Sequence, residues 1–259
     1  MGSDPPTVII AVGDELLDGF TLDGNSHWLA GKLREVGWPA RRIEVVGDQS
    51  DAIIASIHRA MAEVPVSRVL VCGGIGPTPD DRTFDAVATA LDRTLVTSAE
   101  AVTRIESMVA RMHDAGWIDS ATVSAANLRM SRIPDGARVL ENRRGMAAPV
   151  AMQFGDPADD RRLFVLPGIP REMQAIVTEE MLPRYFNGRR AGAVVELRFA
   201  GIPESQFSAA IEVVLAEYPG VAVGSYPQTA TRDLVIRLQG ADPATVSAAR
   251  DRLAQLAPG

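Results

Sequence analysis

A glycine-rich turn with adjacent aspartates offers the clearest chemistry in this chain. Residues 72–83 read Cys-Gly-Gly-Ile-Gly-Pro-Thr-Pro-Asp-Asp-Arg-Thr, between an apolar run and a helical pattern. A strand, a glycine turn and a helix start place backbone N–H groups where they can hold an anion. Because Asp80 and Asp81 would repel a bare phosphate, a divalent cation between the carboxylates and the phosphate is the expected remedy. The turn therefore predicts a metal-assisted site for a phosphorylated ligand.

Two familiar phosphate motifs do not match this turn. A P-loop requires Gly-Lys-Ser/Thr after its glycines, and this turn has no lysine. A dinucleotide-binding fingerprint requires a third glycine at the position of Pro79. The alternative interpretation is a tight turn in which Thr78, Asp80, Asp81 or Thr83 caps the following helix. The turn by itself is compatible with both interpretations.

Strands and helices alternate along most of the chain, which predicts the fold that positions this turn. Strands are predicted at 8–12, 43–46, 68–72 and 163–166, and the continuous apolar run at 8–12 is typical of a strand covered on both faces. Helical patterns are predicted over 25–36, 50–61, 84–91, 98–116, 122–130 and 171–185, with Asn25, Ser50 and Ser98 as caps. This alternation predicts an α/β fold with a doubly wound, mostly parallel sheet. Segments 139–140 and 150–154 are expected to add strands, with a hairpin loop at 155–161.

A domain boundary is predicted at the polar, glycine-rich segment 187–192. It divides the chain into residues 1–188 and residues 189–259. The second part shows the pattern βαββα, which indicates a small α+β domain. Residues 1–6 are expected to be a loose leader.

Composition narrows the class of protein. The chain of 259 residues has a formal net charge of −7 and no lysine- or arginine-rich block, so no nucleic-acid partner is expected. Its single cysteine, Cys72, fits a reducing compartment. There is no 18-residue apolar run and no signal-peptide pattern, so the expectation is a cytoplasmic protein without a membrane partner.

Three loops should meet at one edge of the predicted sheet. Ligands of open parallel sheets bind beyond the carboxyl ends of the strands. Asp14 and Glu15 follow the first strand, the turn 73–81 follows the third, and the loop 167–173 follows the run at 163–166. Asp14, Glu15, Asp80 and Asp81 could therefore share a cation. For any one of these carboxylates, a solvated surface position or a helix cap is the alternative.

Three segments resemble the signatures of the molybdopterin-binding (MoaB/MogA-like) fold family, and more closely the N-terminal part of its CinA (competence/damage-inducible) branch. Residues 12–19, with Asn25 and Leu29 downstream, resemble the Gly-x-Glu-Leu-Leu-x-Gly opening. Residues 73–83 resemble GGxGPTxDDxT, and residues 166–173 resemble LPGxPxEM. The tail, including residues 201–205, resembles the small α+β domain that follows in the CinA branch.

The resemblance implies a nucleotide- or pterin-binding domain over residues 1–188. The CinA branch implies a divalent-metal-dependent pyrophosphatase, a hydrolase of the phosphoanhydride of ADP-ribose-like dinucleotides. The MoaB/MogA branch implies the alternative, molybdopterin binding or adenylyl transfer in the molybdenum cofactor pathway. A non-catalytic nucleotide sensor is a third possibility. The family's C-terminal amidase domain, and with it deamidation, is expected to be absent, and the protein is expected to be a homo-oligomer.

The resemblance also assigns roles to residues. It implies catalytic roles for Asp81 and Asp80. Beside these, we expect Asp14 to be catalytic, and either Asp14 or Glu172 to orient the attacking water. Asp81, Asp80 and Glu15 are the expected ligands of Mg²⁺ or a transition metal. The predicted ligand-binding residues are Gly73, Gly74, Gly76, Thr78, Thr83, Asn142, Gly145, Pro167, Gly168, Pro170 and Glu172.

Two departures from the family pattern concern the pocket. Residues 142–150 read Asn-Arg-Arg-Gly-Met-Ala-Ala-Pro-Val, so the threonine and final glycine of the family's Gly-Thr-Ala-Pro-Gly are missing. Pro79 stands where the family has a lysine, which removes one cation near the phosphates. Arg143, Arg144 or Arg171 are candidate substitutes, and plain surface charges are the alternative. The three histidines show no paired spacing and are not expected to bind metal.

Overall fold

The computed structural model describes residues 6–258, which divide into two compact units. The first unit ends at Gly188 and the second begins at Arg189. The expectation of a loose leader over residues 1–6 falls, apart from Pro6, outside the described residues. No helix within the described range is both long and apolar enough to cross a membrane.

The first unit is built on a six-stranded sheet with short helices and connections around it. The strands of this unit, six in the sheet and two in a separate pair, are β1 (Thr7–Val12), β2 (Ala40–Val46), β3 (Arg68–Cys72), β4 (Leu95–Thr97), β5 (Arg132–Pro134), β6 (Arg138–Val139), β7 (Val150–Gln153) and β8 (Arg162–Leu166). The sheet order is β2-β1-β3-β8-β7-β6, and β4 pairs with β5 separately. Strands β2, β1, β3 and β8 are parallel, whereas β7 and β6 form an antiparallel edge. The predicted mostly parallel α/β sheet is confirmed.

Helices cover both faces of this sheet. They are α1 (Asp14–Leu17), α2 (Gly24–Glu35), α3 (Ser50–Ala62), α4 (Thr83–Ala90), α5 (Ala99–Asp114), α6 (Ala125–Arg129), α7 (Pro170–Ile176) and α8 (Leu182–Tyr185), with a π-helical turn at Val177–Met181. Adjacent residues of β1 point to opposite faces: Ile10 packs in the cluster of Ile57 of α3, and Ile9 packs in that of Leu33 of α2. All four are fully buried. Each such side chain contributes about 1.5–3 kcal/mol, which explains why β1 has no polar face.

The second unit has the predicted βαββα order. It comprises β9 (Ala193–Ala200), a 3₁₀ turn (Glu204–Phe207), α9 (Ser208–Glu217), β10 (Val221–Gln228), β11 (Asp233–Gly240) and α10 (Pro243–Leu256). Its antiparallel sheet has the order β10-β11-β9. Phe207, Ile236 and Leu253 are fully buried in the core between this sheet and its helices. The small α+β domain is confirmed.

Helix starts depart from the predicted caps at two positions. Asp23 caps α2, because its carboxylate accepts a hydrogen bond from the Ser26 N–H at 2.9 Å. The predicted cap, Asn25, lies inside α2, and its side chain donates a hydrogen bond to the Gly168 carbonyl instead. Ser50 is the first residue of α3 rather than its cap. Ser98 caps α5 as predicted, accepting from the Ala101 N–H.

Some elements differ from the sequence prediction in length. The helix predicted over 122–130 is confined to α6 (Ala125–Arg129), and the helix predicted over 171–185 contains the π-helical turn. The ribbon of β4 and β5 was not predicted, because three-residue strands are too short to show an alternating pattern.

Candidate functional site

Three loops meet where β1, β3 and β8 end. The Gly73 N–H donates to the Leu166 carbonyl at 3.0 Å, which joins the turn after β3 to the end of β8. A Cβ atom built on Gly168 would lie 3.6 Å from Gly73 Cα, so the loops are in backbone contact. Together with the segment after β1, they surround a cavity of about 450 Å³, referred to below as the carboxylate cavity.

Most of the predicted site residues line the carboxylate cavity. Those that do are Glu15, Gly73, Gly74, Gly76, Asp80, Asp81, Pro167, Gly168 and Glu172. Thr78 borders a neighbouring cavity, which Gly76 and Asp81 also line. Pro170 lines a separate depression near Asn25. Asp14, Thr83, Asn142 and Gly145 do not line the carboxylate cavity.

The turn after β3 depends on glycine and on a buried threonine. Gly73 has φ of +111°, and a Cβ there would overlap the Val12 carbonyl oxygen. The fully buried Thr83 donates its hydroxyl to the Gly73 carbonyl at 2.8 Å, and its N–H donates to the Gly74 carbonyl at 3.0 Å. Thr83 therefore holds the shape of the turn from behind.

The two aspartates of the turn have different surroundings. Asp81 Oδ2 accepts hydrogen bonds from the Thr78 N–H at 2.8 Å and from the Thr78 hydroxyl at 2.5 Å. Asp80 is exposed at the rim of the carboxylate cavity. Arg82 occupies the cap position of α4 and makes no side-chain capping bond. The interpretation of this turn as a simple helix cap therefore does not match the structure.

Asp48 joins the carboxylates and was missed from the sequence. Its Oδ2 accepts from the Asp14 N–H at 2.9 Å, while its own N–H donates to Asp14 Oδ1 at 3.1 Å. Burial raises the pKa of Asp48, and the nearby charges of Asp14, Glu15 and Asp80 act in the same direction. Asp48 follows the carboxyl end of β2, so the rule that ligands bind at strand ends could have identified it.

The chemistry of the cavity suits a hard cation. Glu15, Asp48 and Asp80 present carboxylate oxygens, the ligands that Mg²⁺ prefers. Within residues 6–258, no three His, Cys, Asp or Glu side chains already stand in an arrangement that would hold a metal ion. A cation would therefore have to draw these carboxylates together. Asp14 accepts hydrogen bonds from the Asp48 N–H and the Gln49 side-chain amide, and it does not line the cavity.

A buried glutamate forms another part of the wall. Glu172 is 8% exposed, and its Oε2 accepts a hydrogen bond from Asn142 Nδ2 at 2.8 Å. Asn142 Oδ1 in turn accepts from the Gly145 N–H at 3.0 Å. A Cβ at Gly145 would overlap the Glu172 carboxylate. The altered segment 142–150 thus retains the asparagine and glycine that hold Glu172, and Met146 adds an apolar surface to the cavity.

Asn25 ties the segment after β1 to the loop after β8. Its Nδ2 donates to the Gly168 carbonyl at 2.7 Å and also contacts Cys72 Sγ at 3.8 Å. Burial raises the pKa of the Cys72 thiol to about 12. Cys72 is therefore a packing residue, and Asn25 is a positioning residue of the site.

The arginines proposed to replace the lysine at position 79 lie elsewhere. Arg143 pairs with Glu141 at 2.7 Å, and Arg144 pairs with Glu179 at 3.3 Å. Neither these two nor the exposed Arg171 lines the carboxylate cavity.

Comparison with known proteins agrees with this architecture. The profile of a family described as probable molybdopterin binding domain matches residues 8–186, and that of the FAD synthase middle domain matches residues 196–259. Protein TK1472 of Thermococcus kodakarensis is 40% identical over 182 residues, which cover 70% of each chain.

CinA proteins are also among the relatives. A CinA-like protein of Geobacter sp. (strain M21) is 33% identical over 245 residues, covering 93% of this chain and 56% of the relative. The crystal structure of CinA from Thermoplasma acidophilum superimposes with a TM-score of 0.60 at 27% identity, covering 71% of this chain and all of that one. The chain thus belongs to the family of probable molybdopterin-binding domains, and it is similar to CinA-like proteins.

Proposed function

We propose that the carboxylate cavity binds a phosphorylated pterin or nucleotide and, with a divalent cation, acts on its phosphoanhydride. The observation that carries this proposal is the presence in one cavity of glycine backbone at Gly73–Gly76 and of the carboxylates of Glu15, Asp48 and Asp80. The backbone N–H groups of residues 74–76 can donate hydrogen bonds to phosphate oxygens, whereas that of Gly73 already donates to the Leu166 carbonyl. The carboxylates can hold a cation that offsets the charge of the same phosphates.

Molybdopterin binding or adenylyl transfer is the first candidate, because the family profile covers residues 8–186. In this candidate the phosphate lies against the turn at Gly73–Gly76. Met146 and Ala147 supply apolar surface for a flat ring. Such a surface beside a few polar groups is typical of small-molecule sites.

Hydrolysis of an ADP-ribose-like phosphoanhydride is the second candidate, and Glu172 favours it. A carboxylate that is 8% exposed and reaches the cavity can accept a proton from a bound water. Asn142 holds Glu172 in position through its 2.8 Å hydrogen bond. We assign Glu172, rather than Asp14, to orient the water, since Asp14 is directed toward Asp48 and Gln49.

The cation in this proposal is Mg²⁺ or a transition metal held by Asp80, Asp81 and Glu15. When bound, it would neutralise charge that develops on the phosphates. Asp81 also keeps the turn in place through Thr78. Asp48 is added to these ligands, because it lines the same cavity.

Product analysis separates the candidates. The full chain is incubated with ADP-ribose and related dinucleotides, or with ATP and molybdopterin, in several divalent metals, and products are identified by mass spectrometry. AMP plus ribose 5-phosphate supports hydrolysis, whereas adenylylated pterin supports transfer. Binding without either product indicates a sensor. EDTA should stop turnover and added metal should restore it; full activity in metal-free EDTA would contradict the role of the cation.

A further inference from the structure

A second cavity, of about 430 Å³, borders the turn after β3. It shares Gly76 and Asp81 with the carboxylate cavity, so the two are contiguous. Three arginines line it: Arg82, Arg129 and Arg132. We propose that this arginine cavity is a second anion site, which binds a further phosphate group of the ligand held in the carboxylate cavity.

The arginines converge on one turn. Arg82 Nε donates to the Pro79 carbonyl at 3.3 Å, and Arg129 Nη2 donates to the Pro77 carbonyl. These bonds hold both guanidinium groups against the turn and occupy one N–H group of each. A guanidinium has five N–H donors in a planar fork, so several remain for phosphate oxygens.

The lining of the arginine cavity carries more positive than negative charge. Among residues 6–258, none of the guanidinium groups of Arg82, Arg129 and Arg132 has a carboxylate partner within ion-pair distance, whereas Arg104 and Arg144 pair with Glu100 and Glu179. The residues that line the arginine cavity include two carboxylates, Asp81 and Asp85. Asp81 is hydrogen-bonded to Thr78. The cavity lining therefore carries a net positive charge, in a protein whose overall charge is −7.

The backbone fixes where two of these arginines stand. Arg129 ends α6, and the Ser131 hydroxyl donates to the Leu128 carbonyl at 2.6 Å. Arg132 begins β5 and pairs in register with Thr97 of β4. The end of α6 and the start of the β4–β5 ribbon, which was not apparent from the sequence, thus each place one arginine beside the turn.

The shared boundary limits which ligand fits. Because Gly76 and Asp81 belong to both cavities, the two anionic groups must lie close together. Consecutive phosphates of one chain satisfy this condition. The choice of a nucleotide as ligand rests on the proposed function, whereas the anion site itself does not.

The first experiment tests the anion site without catalysis. The full-length protein is titrated with inorganic phosphate at constant ionic strength, and arginine Nε–Hε resonances are followed by NMR. Saturable shifts are expected for Arg129 and Arg132. The double variant R129Q/R132Q should weaken phosphate binding at least tenfold. The matched control R93Q/R138Q removes two exposed arginines outside the cavity and should stay within twofold of wild type. No saturable shift, or equal weakening in the control, would overturn the proposal.

The second experiment distinguishes a ligand phosphate from free phosphate. Calorimetry in the presence of Mg²⁺ compares the α,β-methylene analogues of ATP and ADP, which resist cleavage between the α and β phosphates. Wild type should bind the ATP analogue at least tenfold more tightly, and R129Q/R132Q should bind both analogues with equal affinity. Binding of inorganic phosphate without preference for the ATP analogue would show that the site does not extend the ligand site, which overturns the proposal. Loss of turnover alone would bear on the proposed function and leave these binding results unaffected.

Discussion

The carboxylate of Glu172 accepts a hydrogen bond from the side-chain amide of Asn142 at 2.8 Å, although the residues are 30 positions apart in sequence. This bond joins α7 to the loop before β7. It leaves the carboxylate 8% exposed at the wall of the carboxylate cavity. A buried carboxylate with a single amide donor retains capacity to accept a further hydrogen bond. This relationship underlies the first prediction.

Substituting Glu172→Gln should lower kcat for phosphoanhydride hydrolysis by about 10²–10⁴-fold, because general-base catalysis typically contributes that much. Ligand affinity should change little, since the amide retains the shape of the side chain. Steady-state kinetics and calorimetry measure the two effects. Glu179→Gln is the control, because Glu179 is exposed and pairs with Arg144 outside the cavity. An unchanged kcat in the Glu172 variant would remove its assignment as water-orienting base.

Asp80 and Asp81 should respond differently to substitution. Asp81→Ala should abolish turnover and also reduce the free energy of unfolding by about 1–3 kcal/mol, because the Thr78 N–H and hydroxyl lose their acceptor. Asp80→Asn should raise the metal concentration needed for activity and leave the free energy of unfolding unchanged. Urea denaturation and metal titrations of activity measure these effects. Asp119→Asn controls for loss of an exposed carboxylate that lines neither cavity. If Asp81→Ala loses stability but keeps full activity, Asp81 has only a structural role.

Cys72 should be inert in the folded protein. Burial raises the pKa of its thiol to about 12, so almost no thiolate forms at pH 8. A thiol-specific chromophoric reagent should react at least ~100-fold more slowly with native protein than with protein in guanidinium chloride. The cysteine is single, so no other thiol contributes to the signal. Rapid labelling under native conditions would show that the end of β3 opens to solvent.

Asp48 should make the protein less stable as pH rises. Its pKa is raised in the folded state, so the folded protein holds a proton that the unfolded chain releases above its ordinary value of 3.8. The contribution of this proton to the free energy of unfolding is present below pH 3.8, and it is lost as pH rises through the folded-state pKa of Asp48. Asp48→Asn should flatten this part of the pH dependence of Tm, measured by calorimetry without divalent cations. An identical pH profile in variant and wild type would show that Asp48 does not titrate as inferred.

The sequence by itself determined the sheet and indicated where the candidate site lies. Strands such as Thr7–Val12 are buried on both faces, so they appear as continuous apolar runs, and their alternation with helices indicates a parallel sheet. The glycines of the turn after β3 also mark the turn in the sequence. At Gly73, for example, the positive φ angle and the nearby Val12 carbonyl oxygen leave no room for a side chain. Local patterns and short motifs report features of this kind.

Only the tertiary structure decided which polar groups share a space. Asn25 has the sequence features of a helix cap, yet it donates to the Gly168 carbonyl, 143 residues away. Asp48 carries no motif and still joins the carboxylates, while Asp14 is hydrogen-bonded to Asp48 and Gln49 and does not line the cavity. Arg129 and the ribbon residue Arg132 form part of a second cavity that no short pattern indicated. Side-chain partners depend on how strand ends and loops meet in space, and residues distant along the chain establish those contacts.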